Sequence, residues 1–326
     1  MKNIKMGIKN LNQFLLKSCT HKSIQKIHFE SIQKKTIVID ISIYLYKFMT
    51  TGNFMENLYT MLSIFKYYLI TPIFIFDGKP PPEKWDLIKK RNWEKKDAEI
   101  KLIAMQNDLS NNIYSKEDLI EMDELRKKCI RIKNEDIQKA KELMDAFGFI
   151  YYDAPGEADQ LCAYFVNKEI AWACLSDDMD MFLYGCIRVL RNLSLMNHRV
   201  MIYDTKYILK ELGMSYNDFL EIMVLCGTDY NNGYVSLCKT LELHNEYKNS
   251  NDMVVYDSKE KFYNWFIKKL NFNETENFIS ICSMFDISGQ TVLENFSKRF
   301  KMDILEKKAN IPKIKEIMTV YGFLFP

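Results

Sequence analysis

The chain has 326 residues, of which 48% are hydrophobic and 27% are charged, and its net charge at pH 7 is +2. This composition is typical of a globular protein and excludes a disordered or fibrous chain. No apolar run approaches the ~18 residues that span a bilayer, and the N-terminus contains no apolar signal segment. The eight cysteines and four histidines show no metal-binding spacing, so we expect a reducing intracellular compartment without disulfides or structural zinc.

The near-neutral net charge conceals a strongly basic stretch. Seven Lys and Arg residues lie between Lys84 and Lys101, and five more lie between Arg126 and Lys133. If several acidic residues elsewhere serve a metal site, the remaining surface is basic enough to attract a phosphate backbone.

Short apolar segments alternate with segments of helical periodicity. The predicted strands are Thr36–Ile41, Pro72–Phe76, Phe149–Tyr152 and Ile170–Leu175, with Ile187–Leu193 and Val200–Tyr203 as a closing pair, and the predicted helices are Asn53–Leu69 and Glu157–Asn167. This alternation predicts an α/β fold with a mostly parallel sheet flanked by helices. From Thr205 onward the pattern predicts mainly helices, with a polar break near Lys248–Asp252.

Residues 82–147 form a long charged stretch with helical spacing and few glycines or prolines. Its polar middle, Asn107–Tyr114, predicts a turn. The part from 82 to 133 has no strong apolar stripe, so we interpret it as a helical insertion that projects from the sheet.

Acidic residues follow the predicted strands where each strand ends. In chain order they are Asp40, Asp77, Glu157, Asp159, Asp177, Asp178 and Asp180, and a further acid, Asp229, lies in a Gly-Thr-Asp turn after an apolar helix. Any one of them is as often a helix N-cap as a ligand, but independent caps do not explain so many acids at one sheet edge. Oxygen ligands without His or Cys point to Mg²⁺, or to Mn²⁺, and this many carboxylates can hold two ions. A two-metal site suits phosphodiester hydrolysis.

Six motifs are shared with a known family. They are MGIKNL (Met6–Leu11), VIDIS (Val38–Ser42), FDGKPP (Phe76–Pro81), APGEADQLCA (Ala154–Ala163), SDDMD (Ser176–Asp180) and GTDY (Gly227–Tyr230). Through residues 6–230 their order and spacing resemble the flap endonuclease and XPG family of structure-specific 5′-nucleases, for which FDGKPP, GEAD and DDMD together are specific. The resemblance implies a PIN-like 5′-nuclease fold. Its parts would be a core over 6–230, made of an N-terminal region (6–81), a helical arch (82–133) and an internal region (134–230), and a mainly helical C-terminal region (231–326).

The resemblance also implies roles for individual residues. One ion would be surrounded by Asp40, Asp77, Glu157 and Asp159, and the other by Asp178, Asp180 and Asp229, with Asp177 as an outer acid. Lys84 and Arg91 match a pair of basic arch residues that contact the scissile phosphate, and their seven-residue spacing places both on one helix face. Tyr46 matches an aromatic residue that stacks on the base beside the scissile bond. Ser42 and Tyr44 are interpreted as structural.

Four features depart from the family pattern. Five residues precede Met6, where the family normally begins, and the interval from Asp40 to Asp77 is shorter than in cellular flap endonucleases, which leaves recognition of a one-nucleotide 3′ flap open. The duplex-binding motif is degenerate, since Asn231–Thr240 keeps only Gly233, and duplex binding is expected to be weaker or supplied by Lys239 and later lysines. The chain ends at YGFLFP, so no sliding-clamp motif is visible. These reductions resemble the shortened versions found in large cytoplasmic DNA viruses.

The leading hypothesis is a monomeric, divalent-metal-dependent 5′-nuclease that cuts DNA at 5′ flaps or other single-strand/duplex junctions. It would act in replication, recombination or repair, away from membranes, in a nucleus or at a cytoplasmic viral replication site. Two alternatives stay open, namely a non-catalytic DNA-binding scaffold on a nuclease fold and a related nuclease that prefers RNA or single strands.

Overall fold

The computed structural model describes residues 8, 10–108, 115–251, 261–270, 275–303 and 308–325. The strands are β1 (Ile24–His28), β2 (Thr36–Asp40), β3 (Thr71–Phe76), β4 (Ile150–Asp153), β5 (Ala173–Leu175), β6 (Arg188–Ser194) and β7 (Arg199–Asp204). The helices are α1 (Leu11–Ser18), α2 (Ile41–Thr50), α3 (Phe54–Tyr67), α4 (Trp85–Asp108), α5 (Lys116–Cys129), α6 (Asn134–Phe147), α7 (Ala158–Asn167), α8 (Thr205–Leu212), α9 (Tyr216–Cys226), α10 (Leu237–Asn251), α11 (Phe262–Leu270), α12 (Thr275–Met284), α13 (Thr291–Asp303) and α14 (Ile311–Thr319). Short 3₁₀ helices lie at Phe29–Ile32, Pro82–Lys84 and Asp180–Phe182.

The strands form one sheet in the order β1-β7-β6-β5-β2-β3-β4. Four of the six pairings are parallel, and only β6 with β7 and β7 with β1 are antiparallel among the described strands. The predicted mostly parallel α/β sheet with a closing pair is therefore confirmed. β1 was not predicted, because its sequence, IQKIH, is too polar to stand out from a loop.

The sheet is buried on both faces. Along β2, Val38 packs into one apolar core, whereas Ile37 and Ile39 pack into the other. Helices α7 and α9 contribute to the first core, and α2, α3, α6 and α14 contribute to the second. Because both faces are covered, β2 and β3 are apolar almost throughout, which made them readable in the sequence.

The charged segment after β3 forms two helices, α4 and α5, that pack against each other. Ala98, Met122 and Leu125 are buried there, but Trp93 of α4 is 76% exposed. The predicted turn at Asn107–Tyr114 is partly wrong, since α4 continues to Asp108, and residues 109–114 lie outside the described part of the chain.

Beyond β7 the described chain is helical, as predicted. The connection between α9 and α10 needs the glycine that the motif keeps, since Gly233 has φ +76° and an added Cβ would lie 2.3 Å from the Cys226 carbonyl oxygen. The polar break predicted near Lys248–Asp252 does not interrupt α10 before Asn251, where that helix ends, and Asp252 lies outside the described residues. None of the helices in the described segments combines the length and apolar character needed to cross a membrane.

Candidate active site

Three neighbouring strands each deliver an acid to one edge of the sheet. β2 ends at Asp40, Asp77 directly follows β3, and Asp178 lies three residues beyond β5. Because β5, β2 and β3 are adjacent and parallel, their carboxyl ends meet at this edge. The sheet order therefore brings together three acids that are far apart in the sequence.

Four more acids arrive from the flanking elements. Glu157 is the N-cap residue of α7, Asp159 lies in its first turn, Asp180 opens a short 3₁₀ helix, and Asp229 follows α9. With the three strand-end acids they form what we call the acid cluster: Asp40, Asp77, Glu157, Asp159, Asp178, Asp180 and Asp229. The structure thus brings together all seven acids that the sequence singled out as metal ligands.

Hydrogen bonds fix the loops that present the acids. Asp77 Oδ1 accepts the Ala158 N–H at 2.9 Å, which joins the end of β3 to the first turn of α7. Gly78 explains part of the FDGKPP motif, because its N–H donates to the Gly156 carbonyl at 2.8 Å and an added Cβ would lie 2.0 Å from the Ala154 carbonyl oxygen. A side chain at position 78 would therefore separate Asp77 from the α7 loop.

A second set of bonds orders the loop after β5. The Ser176 hydroxyl donates to Asp40 Oδ2 at 3.2 Å and accepts the Asp178 N–H at 3.2 Å. Asp178 Oδ1 in turn accepts the Asp180 N–H at 2.9 Å. These contacts set the mutual placement of acids from β2 and from the SDDMD motif.

Burial and mutual repulsion both oppose ionisation in the acid cluster. Burial raises the pKa of Asp40, Asp159 and Asp180 well above the usual value, and neighbouring carboxylates raise it further. For Asp40 those neighbours are Asp77 and Asp178. The pKa of Asp178 is also raised, first of all by burial. Such a cluster stores unfavourable electrostatic energy that a bound cation would relieve.

Two basic residues from the start of the arch reach the acid cluster. Lys84 Nζ lies 2.6 Å from Glu157 Oε1 and 3.5 Å from Asp229 Oδ2, and its side chain is 11% exposed. Arg91 Nη2 lies 3.2 Å from Asp229 Oδ2. Burial acts to lower the pKa of Lys84, but the charges of Glu157, Asp159 and Asp229 outweigh it and raise that pKa above its usual value. Lys84 and Arg91 thus approach the same part of the acid cluster.

Tyr230 belongs to the GTDY motif, had no predicted role, and supports Glu157. Its hydroxyl donates to Glu157 Oε2 at 2.6 Å and lies 3.1 Å from the Tyr184 hydroxyl. The Lys84 ammonium lies 5.3 Å from the centre of the Tyr230 ring. Glu157 is therefore held between a phenol and an ammonium, one on each carboxylate oxygen.

The donor set of the acid cluster fits divalent cations with oxygen ligands. Asp40, Asp159 and Asp180 each keep one buried carboxylate oxygen without a hydrogen-bond partner among the described residues. Such oxygens are costly unless a cation or water satisfies them. Within the described ranges, no three His, Cys, Asp or Glu side chains are arranged to enclose an ion as they stand. The Lys84 ammonium supplies the nearest positive charge to Glu157.

Tyr46 lies against the arch and is half-buried. Its hydroxyl donates to the Lys127 carbonyl at 3.3 Å, and the Lys95 ammonium lies 5.4 Å from its ring centre. The residue thus stands where α2 meets α4 and α5, close to the arch and away from the apolar cores.

Asp177 has partners of its own. Its carboxylate pairs with Lys47 and accepts the Asn192 N–H at 2.7 Å, and its carbonyl accepts from Arg191 at 2.7 Å. Lys47 was not predicted as a functional residue, although its position seven residues after Asp40 repeats the spacing of Lys84 and Arg91.

Two family models match the sequence. The XPG N-terminal domain matches residues 6–98, and the XPG I-region matches residues 148–229, so that together they span more than half of the chain. These ranges include every residue of the acid cluster and both basic residues.

Curated relatives are flap endonucleases. Flap endonuclease 1 of Methanocaldococcus jannaschii is 30% identical over 226 residues, which cover 64% of this chain and 67% of that protein. Flap endonuclease 1 of Sulfolobus acidocaldarius is 28% identical over 236 residues, which cover 64% of this chain and 65% of that protein. The matches thus span about two-thirds of the length of these relatives.

Solved structures with a similar fold include the catalytic core of Rad2 in complex with DNA substrate, with a TM-score of 0.64 at 20% identity. That match covers 97% of this chain and 95% of the Rad2 chain. Human GEN1 in complex with Holliday junction DNA gives a TM-score of 0.63 at 18% identity, covering 96% of this chain and 73% of the GEN1 chain. With two XPG models matched in chain order and flap endonuclease relatives at 28–30% identity, the chain belongs to the flap endonuclease and XPG family.

Proposed function

We propose that the protein is a divalent-metal-dependent nuclease that hydrolyses phosphodiester bonds of DNA near junctions between single strands and duplex. The observation that carries this proposal is the acid cluster at the carboxyl edge of the sheet, faced by Lys84 and Arg91. Membership of a nuclease family supports the reaction. The DNA bound in the Rad2 and GEN1 structures supports the substrate class.

The acid cluster would hold two Mg²⁺ ions, with Mn²⁺ as the alternative. Asp40, Asp77, Glu157 and Asp159 would face one ion, and Asp178, Asp180 and Asp229 the other. When bound, such ions activate water and neutralise charge on the phosphate. Tyr230 and Ser176 keep Glu157 and Asp40 oriented for this task through the hydrogen bonds described above.

Lys84 and Arg91 act on the phosphate. Each is paired with a carboxylate of the acid cluster, and each would exchange that partner for the oxygens of the scissile phosphate. Cations fixed at this point stabilise the negative charge that develops during in-line displacement. Tyr46, beside the arch, would stack on a base next to the scissile bond.

The parts of the chain would divide this work. The core over 6–230 would perform the reaction, residues 82–133 would form the arch along which a single strand passes, and the helices after 231 would contact duplex. In the last region the turn at Gly233 is kept, while the rest of the motif is degenerate.

The test uses purified protein and a set of 5′-labelled substrates: a flap, a nicked duplex, a blunt duplex, single-stranded DNA and an RNA strand. Each is incubated with Mg²⁺, with EDTA, and with the Asp178→Asn variant in Mg²⁺. We expect metal-dependent cutting near the flap junction that the variant has lost. Binding without cutting on every substrate would refute the nuclease and support a scaffold, and preferential cutting of RNA would change the substrate class.

A further inference from the structure

A third cation, Lys47, lies beside the acid cluster on an element of the protein body. It belongs to α2, whose N-cap residue is Asp40, and the charge of Asp40 acts on its ammonium. Its ammonium pairs with Asp177 and lies 5.3 Å from the centre of the Tyr44 ring. Lys84 and Arg91 instead contact Glu157 and Asp229, whereas Lys47 pairs with an acid outside the cluster.

The two members of the Lys47–Asp177 pair differ in accessibility. The Lys47 side chain is 39% exposed, whereas that of Asp177 is 10% exposed. Asp177 is also fixed without Lys47, because its carboxylate accepts the Asn192 N–H and its carbonyl accepts from Arg191, each at 2.7 Å. Lys47 can therefore leave the pair while Asp177 keeps a hydrogen-bond donor.

Arg191 cannot take over this contact with a ligand. Its residue is only 7% exposed, and its two Nη groups donate to Asn12 Oδ1 and to the Asp177 carbonyl, each at 2.7 Å. Of the two cations that contact Asp177, Lys47 is therefore the one that is accessible to solvent and to a bound DNA strand.

We propose that Lys47 binds a backbone phosphate next to the scissile one, and that Asp177 is the counter-ion it leaves when the strand binds. The inference rests on the proposed nuclease function. Phosphates follow one another at ~3.4 Å of axis along a duplex strand, so a strand with one phosphate at the acid cluster brings its neighbours close to the same carboxylates. A reachable ammonium at this point offsets that repulsion, and lysine binds phosphate as a flexible point charge.

The alternative is that Lys47 only holds the loop of Asp177 in place. The two roles predict opposite behaviour for Asp177→Asn. If Lys47 binds phosphate, the variant frees the ammonium from its ion pair and DNA binding becomes tighter. If the pair is structural, removing either partner has the same damaging effect.

The experiment measures binding of a fluorescent 5′-flap DNA in EDTA at a series of salt concentrations between about 50 and 200 mM. The variants are Lys47→Met, Lys47→Arg, Asp177→Asn and the double variant Lys47→Met/Asp177→Asn. The matched control is Lys66→Met, which removes another lysine that lies 5.3 Å from an aromatic ring centre, that of Phe149.

We expect Lys47→Met to bind the flap DNA about three- to tenfold more weakly. The plot of the logarithm of the binding constant against log salt should become shallower by about 1, as for one lost phosphate contact. Lys47→Arg should keep the wild-type salt slope, and Asp177→Asn should bind the DNA more tightly than wild type. The double variant should resemble Lys47→Met in both affinity and salt slope. Lys66→Met should match wild type in affinity and slope.

Two results would overturn the inference while leaving the nuclease intact. One is an unchanged salt slope in Lys47→Met, and the other is weaker binding by Asp177→Asn that the double variant does not worsen. Failure of the wild type to bind the flap, or to cut it after Mg²⁺ is added, would remove the proposed function and this inference together.

Discussion

The sheet edge and the arch supply opposite charges to one site, and they hold those charges in different ways. At the sheet edge, Asp40 and Asp180 are 4% and 3% exposed and follow or precede fully buried apolar residues, so packing fixes them in spite of their mutual repulsion. In the arch, Trp93 and Ile100 of α4 are 76% and 67% exposed, and little apolar packing fixes the helix. Lys84 is buried because its acidic partners surround it. Packing therefore places the acids, and the acids place the arch cations.

The first prediction separates the acid cluster from an acid just outside it. Asp178→Asn should lower cleavage by at least about 10³-fold, because stabilisation by bound cations is worth several kcal/mol. Asp177→Asn, one residue away, should lower cleavage less than about tenfold, since Asp177 accepts a hydrogen bond from Asn192, pairs with Lys47 and is not among the expected ligands. Single-turnover cleavage of the flap with saturating Mg²⁺ measures both. Equal losses would show that the SDDMD loop acts as one structural unit.

The second prediction concerns the arch. Arg91→Ala should reduce single-turnover cleavage by about 10²-fold, the usual effect of removing one donor to a developing negative charge, and should weaken DNA binding much less. Lys101→Ala is the control within α4, since Lys101 pairs with Asp97 on the exposed surface, where such pairs contribute little. A loss confined to affinity would make Arg91 an ordinary phosphate contact.

The contrast between acids held by apolar packing and arch cations held by ion pairs also decides what could be predicted from the sequence. β2 and β3 are apolar almost throughout because both sheet faces are covered, so these strands and the acids at their ends could be predicted from the sequence. The resemblance to the family then divided these acids between two expected ions. The structure adds that β5, β2 and β3 are neighbours, a fact that no local pattern contains.

The missed features depend on contacts between distant segments. β1 is polar and is a strand because it pairs with β7, about 175 residues later in the chain. Lys47 and Asp177 are 130 residues apart, and Tyr230 and Glu157 are 73 residues apart. A single lysine or tyrosine in a sequence does not indicate such a distant partner. The positions of Lys47 and Tyr230 near the acid cluster could therefore be seen only in the structure.

The third prediction tests the support of an acid by its neighbour. Tyr230→Phe should raise the Mg²⁺ concentration needed for half-maximal cleavage by about tenfold, because Glu157 loses one of the two groups that orient it. Cleavage at saturating Mg²⁺ should recover most of its rate. Tyr184→Phe, which alters only the far end of the same chain of hydroxyls, should shift the Mg²⁺ dependence less. A rate that stays low at any Mg²⁺ concentration would instead place Tyr230 in contact with the substrate.

The smallest effect is expected in stability, and its sign distinguishes the two regions. Without metal, Asp180→Asn should raise the free energy of unfolding by about 1 kcal/mol, since the variant removes a buried charge from among like charges. Arg91→Ala should change the free energy of unfolding by less than about 0.5 kcal/mol, because the arch side chain is half-exposed and packs little.

Thermal melts in EDTA and in Mg²⁺ measure this pair of effects. Wild type should gain stability when Mg²⁺ binds the folded state, and Asp180→Asn should gain less, because it has lost one ligand. In EDTA the order of melting temperatures should therefore be Asp180→Asn above wild type, by a few degrees at most for about 1 kcal/mol in a chain of this size. If Asp180→Asn melts below wild type without metal, its carboxylate must be a net stabilising group. The repulsion inferred for the acid cluster would then already be offset by Lys84 and Arg91, and packing alone would not be what holds the acids in place.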